Sequence, residues 1–250
     1  MSYDLFAEYY DELMSEVDYP ARARYIDAII KKRKPDAHLL VDLACGTGSM
    51  TVEFADLGYD VIGVDLSENM LSKAREKSDG SILYLCQSMQ ELDMYGTIDA
   101  FVCTLDSLNH IEDREQLLLA LSRVSLFLEP DGVFVFDMNT PYKHEKILAD
   151  NAFVYDTGEV YCVWQNEYAG DGRVDIFLDF FEQQPDGSYF RESEYFSETA
   201  YSVGETEKML NAAGLKLLAA YDDMTCDEPK PDSERLVFVA GKSAATENNQ

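Results

Sequence analysis

From Leu39 to Asn139 short apolar runs alternate with helical patterns, and this alternation leaves the chain few folds to choose from. LLVDLA is a strand candidate, and SMTVEFADLG is a helix ending at Gly58. VIGVDL reads as a second strand; SENMLSKAREK follows as a helix opened by Ser67, whose hydroxyl can accept a free backbone N–H. ILYLC and AFVCTL are strands three and four. EDREQLLLALSRVSLFL sets Leu117, Leu121, Val124 and Leu128 on one helical face, and Pro130-Asp131-Gly132 then turns the chain into VFVFDMN. Unbroken β-rich runs alternating with helices indicate a parallel sheet covered on both faces.

After Asn139 the texture changes. Residues 151–201 hold 13 of the 30 aromatics, enough to suggest a small sheet with an aromatic core. Two hairpin signals, Gly170-Asp171-Gly172 and Pro185-Asp186-Gly187, separate alternating runs there, and in VDIFLDF residues Val174, Ile176, Leu178 and Phe180 share one face. VGETEKMLNAAG then returns to a helical pattern, and ERLVFVAG closes the chain as a last strand. The division expected is a segment 1–34, a doubly wound domain of 35–150 and 202–241, an antiparallel insertion at 151–201, and a disordered tail at 242–250.

The composition narrows the function. With 250 residues and 46% hydrophobic content the chain can bury one core with an appended subdomain. No run of 18 apolar residues occurs, and MSYDLFAEYYDELM carries acid where a signal peptide carries basic charge, so a cytosolic (cytoplasmic) protein without membrane contact is expected. Five scattered cysteines without a CxxC pair argue against disulfides or structural zinc, and three histidines lack ligand spacing, so no metal is expected. A net charge of -28 repels phosphate backbones and disfavours a nucleic-acid partner; it suits solubility, a salty cytoplasm, or cationic acceptors.

The chemistry-bearing residues begin at VDLACGTGSM. Gly46 and Gly48 flank a turn where a ligand can approach the backbone, with a helix N-terminus beyond it. In a dinucleotide fingerprint the third glycine would stand at Thr51, so a pyrophosphate is not signalled. Asp42 at the mouth of the loop, and the lack of any Lys or Arg from Pro35 to Ser72, favour a cationic ligand over a dianion. Asp65, 19 residues after Gly46, is placed to accept both hydroxyls of a ribose, or simply to complement a helix N-terminus.

At these residues the chain resembles the class I S-adenosylmethionine-dependent methyltransferases. VDLACGTG resembles that family's first motif, VIGVDLSENML its second, CQSMQEL and IDAFVCTLDSLNHI its third and fourth, and LEPDGVFVFDMN its fifth. The resemblance implies a Rossmann-like seven-stranded α/β sheet whose last strand, Arg235 to Ala240, is antiparallel, with the β insertion leaving after strand five. It implies a helical lid at 1–34 from which Tyr10 and Tyr19 reach the cofactor, S-adenosyl-L-methionine. It also implies that Ala44, Gly46 and Gly48 line the methionine part, that Asp65 binds the ribose, and that Leu66 and Met70 pack near the adenine. Ser88 and Met89 would meet the adenine's polar edge, and Thr104 and Leu105 would border the methionine amine and the reacting methyl. Ala44 stands where the family often has Gly, and Ser88 where it often has Asp.

The acceptor is expected to be a small molecule held between His110 and the aromatic insertion, which leaves the fold at the sheet's carboxyl edge. His110, just past strand four, is a candidate base or a structural histidine beginning the next helix. Asp106 and Asn109 share its loop and either orient an acceptor or cap that helix. His38 and His144 carry no such context. The rival readings are a methyltransferase acting on RNA or protein, and a non-catalytic S-adenosylmethionine-binding regulator.

Overall fold

The apolar runs of the central segment become the strands of a single sheet. The protein is described by a computed structural model covering residues 4–158 and 160–243, with side chains from Ala7 onward. Two helices, α1 (Asp4–Leu13) and α2 (Tyr19–Arg33), come first. Asp18 caps α2 by accepting the Ala21 N–H at 2.9 Å. Then follow β1 (Leu39–Leu43), α3 (Ser49–Asp56), β2 (Asp60–Asp65), α4 (Glu68–Lys77), β3 (Leu83–Cys86), β4 (Ile98–Cys103), α5 (Arg114–Phe127) and β5 (Leu128–Asn139). Ser67 caps α4 as its sequence suggests, accepting the Met70 N–H at 3.3 Å. After the insertion come α6 (Val203–Ala212), β10 (Leu215–Asp222) and β11 (Arg235–Lys242).

The strand order is β10-β11-β5-β4-β1-β2-β3, with β11 antiparallel to both of its neighbours. The loop 223–234 brings the chain straight back from β10, so β11 enters the gap beside β5 in the reverse direction. Each sheet face is covered. Phe101, Phe134, Phe136 and Phe238 meet Leu117, Leu121 and Val124 of α5 and Leu210 of α6. On the other face Leu40, Val102, Val135 and Val237 meet Ile26 and Ile30 of α2 and Phe54 of α3. Side chains of this size each contribute about 1.5–3 kcal/mol when fully buried. Among the described residues no helix is long and apolar enough to cross a membrane.

Three local expectations are corrected. Leu128 does not extend the face of α5; it begins β5 with φ -65° and ψ 136°, because the approach to Pro130 disfavours helical backbone. The Pro130-Asp131-Gly132 turn is a bulge within β5, where Leu128 pairs with Ile98 but Val133 already pairs with Ala100. At the other end β11 continues through Lys242, whose ammonium donates to the Leu128 carbonyl at 2.9 Å, so the tail does not begin there. Residues 244–250 lie outside the described residues, as do residues 1–3 of the expected lid.

The insertion is a four-stranded antiparallel sheet, β6 (Ala152–Asp156), β7 (Val160–Gly170), β8 (Arg173–Gln183) and β9 (Tyr189–Thr199), in that order. Its turns fall at the two sequence signals. Val174, Ile176, Leu178 and Phe180 form its buried face with Val160, Cys162 and Phe196, joined by Tyr9 of α1. Most of the aromatics do not lie in that core: Tyr155, Tyr161, Tyr189, Phe190 and Tyr195 are exposed. Strand alternation explains it, since a residue one position out of phase with the buried set faces the opposite side.

Candidate active site

The turn after β1 is held in left-handed backbone. Ala44 has φ 54°, Gly46 55° and Gly48 79°. Left-handed backbone costs a non-glycine residue about 1–2 kcal/mol, so Ala44 is strained where a glycine would not be. The two glycines serve different ends. A Cβ on Gly46 would meet nothing within 4 Å, whereas one on Gly48 would lie 2.9 Å from both the Ala74 Cβ and the Tyr84 hydroxyl. Gly46 leaves open space above the turn, and Gly48 lets α3 pack against α4. Asp65 ties the turn to β2, one carboxylate oxygen accepting the Gly46 N–H at 2.8 Å and the other the Ser67 N–H at 2.8 Å. Burial raises the Asp65 pKa, and the N–H groups of Ser67, Gly46 and Leu66 partly oppose the rise.

Asp42 lies deep below the mouth of the turn, on the lining of the same cleft as Gly46. It is 1% exposed and accepts the Thr51 hydroxyl at 2.6 Å. Burial pushes its pKa up to about 7, with Thr51 opposing and the nearby Asp65 charge adding to the rise. Tyr10 of α1 and Tyr19 of α2 cover the turn, and together with Ala44, Gly46, Thr104 and Leu105 they line a cleft of about 30 Å³. The hydroxyl of Tyr19 is buried there without a hydrogen-bond partner among the described residues. A basic group does reach the turn, contrary to the linear reading. Lys77 at the end of α4 contacts Asp11 at 2.8 Å, Ser49 at 2.6 Å and Thr47 at 3.2 Å. Helical geometry brings the last turn of α4 back beside the start of α3, which spacing along the chain conceals.

The remaining expected cofactor residues do not line this cleft. Leu66 is 69% exposed beyond the end of β2, and Met70 is buried in α4. Ser88 accepts the Glu91 N–H at 3.2 Å and so caps the 3-10 turn that Met89 begins. Ser88 and Met89 stand past the end of β3, where the Gln87 N–H donates to the Asp65 carbonyl at 3.0 Å.

A second polar strip crosses the ends of β4, β5 and β11. Leu105 and Asp106 are consecutive left-handed residues, φ 57° and 56°, in a sequence without glycine. Asp137 of β5 holds them, accepting the Leu105 N–H at 2.9 Å and the Asp106 N–H at 2.7 Å. Arg235 binds Asp137 at 2.6 Å and Asp106 at 3.0 Å. Burial would raise the Asp106 pKa, but Arg235, Lys143 and His110 outweigh it and hold the carboxyl low. Asn139 donates to Asp106 at 2.5 Å and to Glu198 of β9 at 3.1 Å. His110 closes a 3-10 turn after β4; its ring packs on Phe196 with centroids 4.9 Å apart, and its Nε2 lies 3.6 Å from Glu198 Oε1. Asp106 occupies the N-cap position of this 3-10 turn without a side-chain bond to it, and Asn109 lies within the turn. Asn109 is fully buried, accepting the Asn139 N–H at 3.0 Å and donating to the Thr199 carbonyl at 3.0 Å. His144 is also fully buried, with Nε2 3.4 Å from Glu198 Oε2, so it has a context that its sequence neighbours hide. Beyond Arg235 an open cleft of about 490 Å³, lined also by Lys143, Lys230 and Asp223, faces solvent.

The chain and its fold are matched by known proteins. A methyltransferase-domain family model matches residues 40–132. A Bacillus subtilis protein named methyltransferase YqeM is 35% identical over 97% of this chain and 98% of its own length. The chain belongs to the S-adenosylmethionine-dependent methyltransferases. A crystal structure of such an enzyme from Clostridium acetobutylicum superposes on the methyltransferase with a TM-score of 0.86 and 32% identity, covering 97% of this chain and 100% of that one. A glycine/sarcosine N-methyltransferase of Halorhodospira halochloris is 27% identical over 98% of this chain and 90% of its own length.

The cofactor of the methyltransferase is S-adenosylmethionine, and the residues at the turn fit it. The Tyr19 hydroxyl without a partner among the described residues, the open space over Gly46, the buried Asp42 and the part-buried Asp65 suit a ligand carrying hydroxyls and positive charge. Sequence reasoning missed Asp137, Arg235, Glu198 and Lys77. The only signals for them were a lone carboxylate at the end of the apolar run VFVFDMN and a lone arginine at the start of the last strand.

Proposed function

We propose that the methyltransferase acts on a small-molecule amine and that His110 takes the proton which the amine releases. The observation that carries this reading is the pair of carboxylates, buried Glu198 and part-buried Asp106, near the exposed His110 in the turn that follows Thr104 and Leu105. Carboxylates attract an ammonium and repel phosphodiesters. Lys143 and Arg235 on the same strip suit an anionic group elsewhere on the acceptor. The relative from Halorhodospira halochloris is named for glycine and sarcosine, which are amines of this kind.

Tyr10, Tyr19, Ala44, Gly46, Thr104 and Leu105 are assigned to the methionine part of the cofactor, Asp65 to its ribose, and Leu66, Met70, Ser88 and Met89 to its adenine. Gly48 acts through packing. The bound cofactor supplies an electrophilic methyl group. A cleft of about 30 Å³ is far below the roughly 300 Å³ at which ligand pockets begin, so α1 with its tyrosine lifts to admit the cofactor. Asp65→Ala should weaken cofactor binding by about 1.5–3 kcal/mol, the range for a hydrogen bond to a charged group. Calorimetry with S-adenosylhomocysteine measures it, and unchanged affinity would reduce Asp65 to a helix-start charge.

Methyl-labelled cofactor, offered to the purified enzyme with glycine, sarcosine, amino sugars and total RNA, tests the acceptor class. Label should enter an amine, and His110→Ala should slow that transfer by roughly 10²–10⁴-fold while cofactor affinity stays unchanged. Label in RNA, or tight salt-sensitive RNA binding, would overturn the reading.

A further inference from the structure

We infer that Glu198, backed by His144, is a positioning residue that orients His110 for the proton the acceptor releases, an inference that rests on the proton-accepting role proposed for His110.

The argument starts at His144. Its Nδ1 lies 2.7 Å from the Gly172 carbonyl oxygen, and a carbonyl only accepts, so Nδ1 carries a hydrogen. Its Nε2 is buried without a hydrogen-bond partner, 3.4 Å from Glu198 Oε2. Nε2 and the Asn139 amide both lie against Oε2, so that oxygen is turned toward His144 while Oε1 is left toward His110. Glu198 is 4% exposed, and the Asn139 amide donates to the same Oε2 at 3.1 Å, which supports its ionised form.

The other oxygen of Glu198 faces His110. Nε2 of His110 is 3.6 Å from Oε1, an ion-pair distance and not a hydrogen bond, so Glu198 acts on the ring through its charge, which favours the hydrogen on Nε2 and leaves Nδ1 as the basic nitrogen. Packing against Phe196, with the two rings tilted by 34°, limits rotation of the imidazole. As the N–C bond forms, the C–S electron pair departs with sulfur and the nitrogen's proton moves to Nδ1. The imidazolium so produced is balanced by Glu198. Asp106 stands one amide further on through Asn139, and Lys143 binds the Asn139 oxygen at 2.9 Å, so the strip alternates in charge.

With three histidines in the chain, nitrogen-15 spectroscopy of labelled imidazoles reads each ring, and exposed His38 serves as the internal reference. In the complex with S-adenosylhomocysteine, His110 should carry its hydrogen on Nε2. In Glu198→Gln, which keeps the shape and removes the charge, His110 should lose that preference and show both tautomers. On the amine that the labelling experiment identifies, this variant should lower kcat by up to about 10²-fold with KM kept, less than the loss from His110→Ala. A His110 hydrogen on Nδ1 in the unaltered protein, or a spectrum that Glu198→Gln leaves unmoved, overturns the inference. Should the variant not fold, the spectrum of the unaltered protein decides alone. The spectra need no turnover, so their failure is distinguishable from a wrong acceptor class.

Discussion

Gly46→Val should abolish measurable cofactor binding, a loss of at least about 100-fold, or ~2.7 kcal/mol, while the protein remains folded. The position has φ 55° and open space where a Cβ would stand. A β-branched side chain resists that backbone and projects into the space left over the turn. It also disturbs the Gly46 N–H that Asp65 accepts at 2.8 Å. Gly48→Val is the contrasting control. Its side chain would meet Ala74 and Tyr84, so its main effect should be a lower melting temperature. Calorimetry with S-adenosylhomocysteine and thermal unfolding of both variants separate the two roles. Normal affinity in Gly46→Val would show that the cofactor does not approach this turn.

Arg235→Ala should destabilise the fold by about 3–5 kcal/mol, the cost of leaving a buried charge uncompensated. Asp137, 1% exposed, would lose the cation 2.6 Å away, and Asp106 the one 3.0 Å away. Arg22 is 3.5 Å from Asp137, but it is shared with Asp223 and restores only part of the balance. The left-handed pair Leu105–Asp106 is held by Asp137, so the wall beside the cleft should loosen as well. For a chain of this length the melting temperature should fall by roughly 6–20 °C. A fall of only a degree or two would mean that water or a neighbouring lysine already screens the two carboxylates.

The turn after β1 and its tie to Asp65 were legible because their motifs are local. The turn glycines and Asp65 lie within one strand–turn–helix–strand unit, and connections that short leave little freedom in how the unit closes. Ser67 was readable as a cap for the same reason, since its hydroxyl serves an N–H three residues on. Asp42 was misread because the sequence shows that a carboxylate is near the turn but not its depth. Whether it meets solvent or Thr51 depends on how α3 returns over β1.

The acceptor half could not be read that way. His110, Asn139 with His144, Glu198 and Arg235 come from four separate stretches, and no periodicity links them. They meet because β11 inserts antiparallel beside β5 while β9 returns to the turn after β4, which are choices of strand pairing. Period-two alternation specifies which side chains share a face but not which strand lies alongside, so the exposed aromatics of the insertion were assigned to a core. By itself the sequence determined the doubly wound sheet, the cofactor turn and the place of the insertion, since each follows from hydrophobic period and turn chemistry over short distances. Only the tertiary structure decided which buried charges face one another, because partners far apart in the chain are chosen by packing and by the need to neutralise charge away from water.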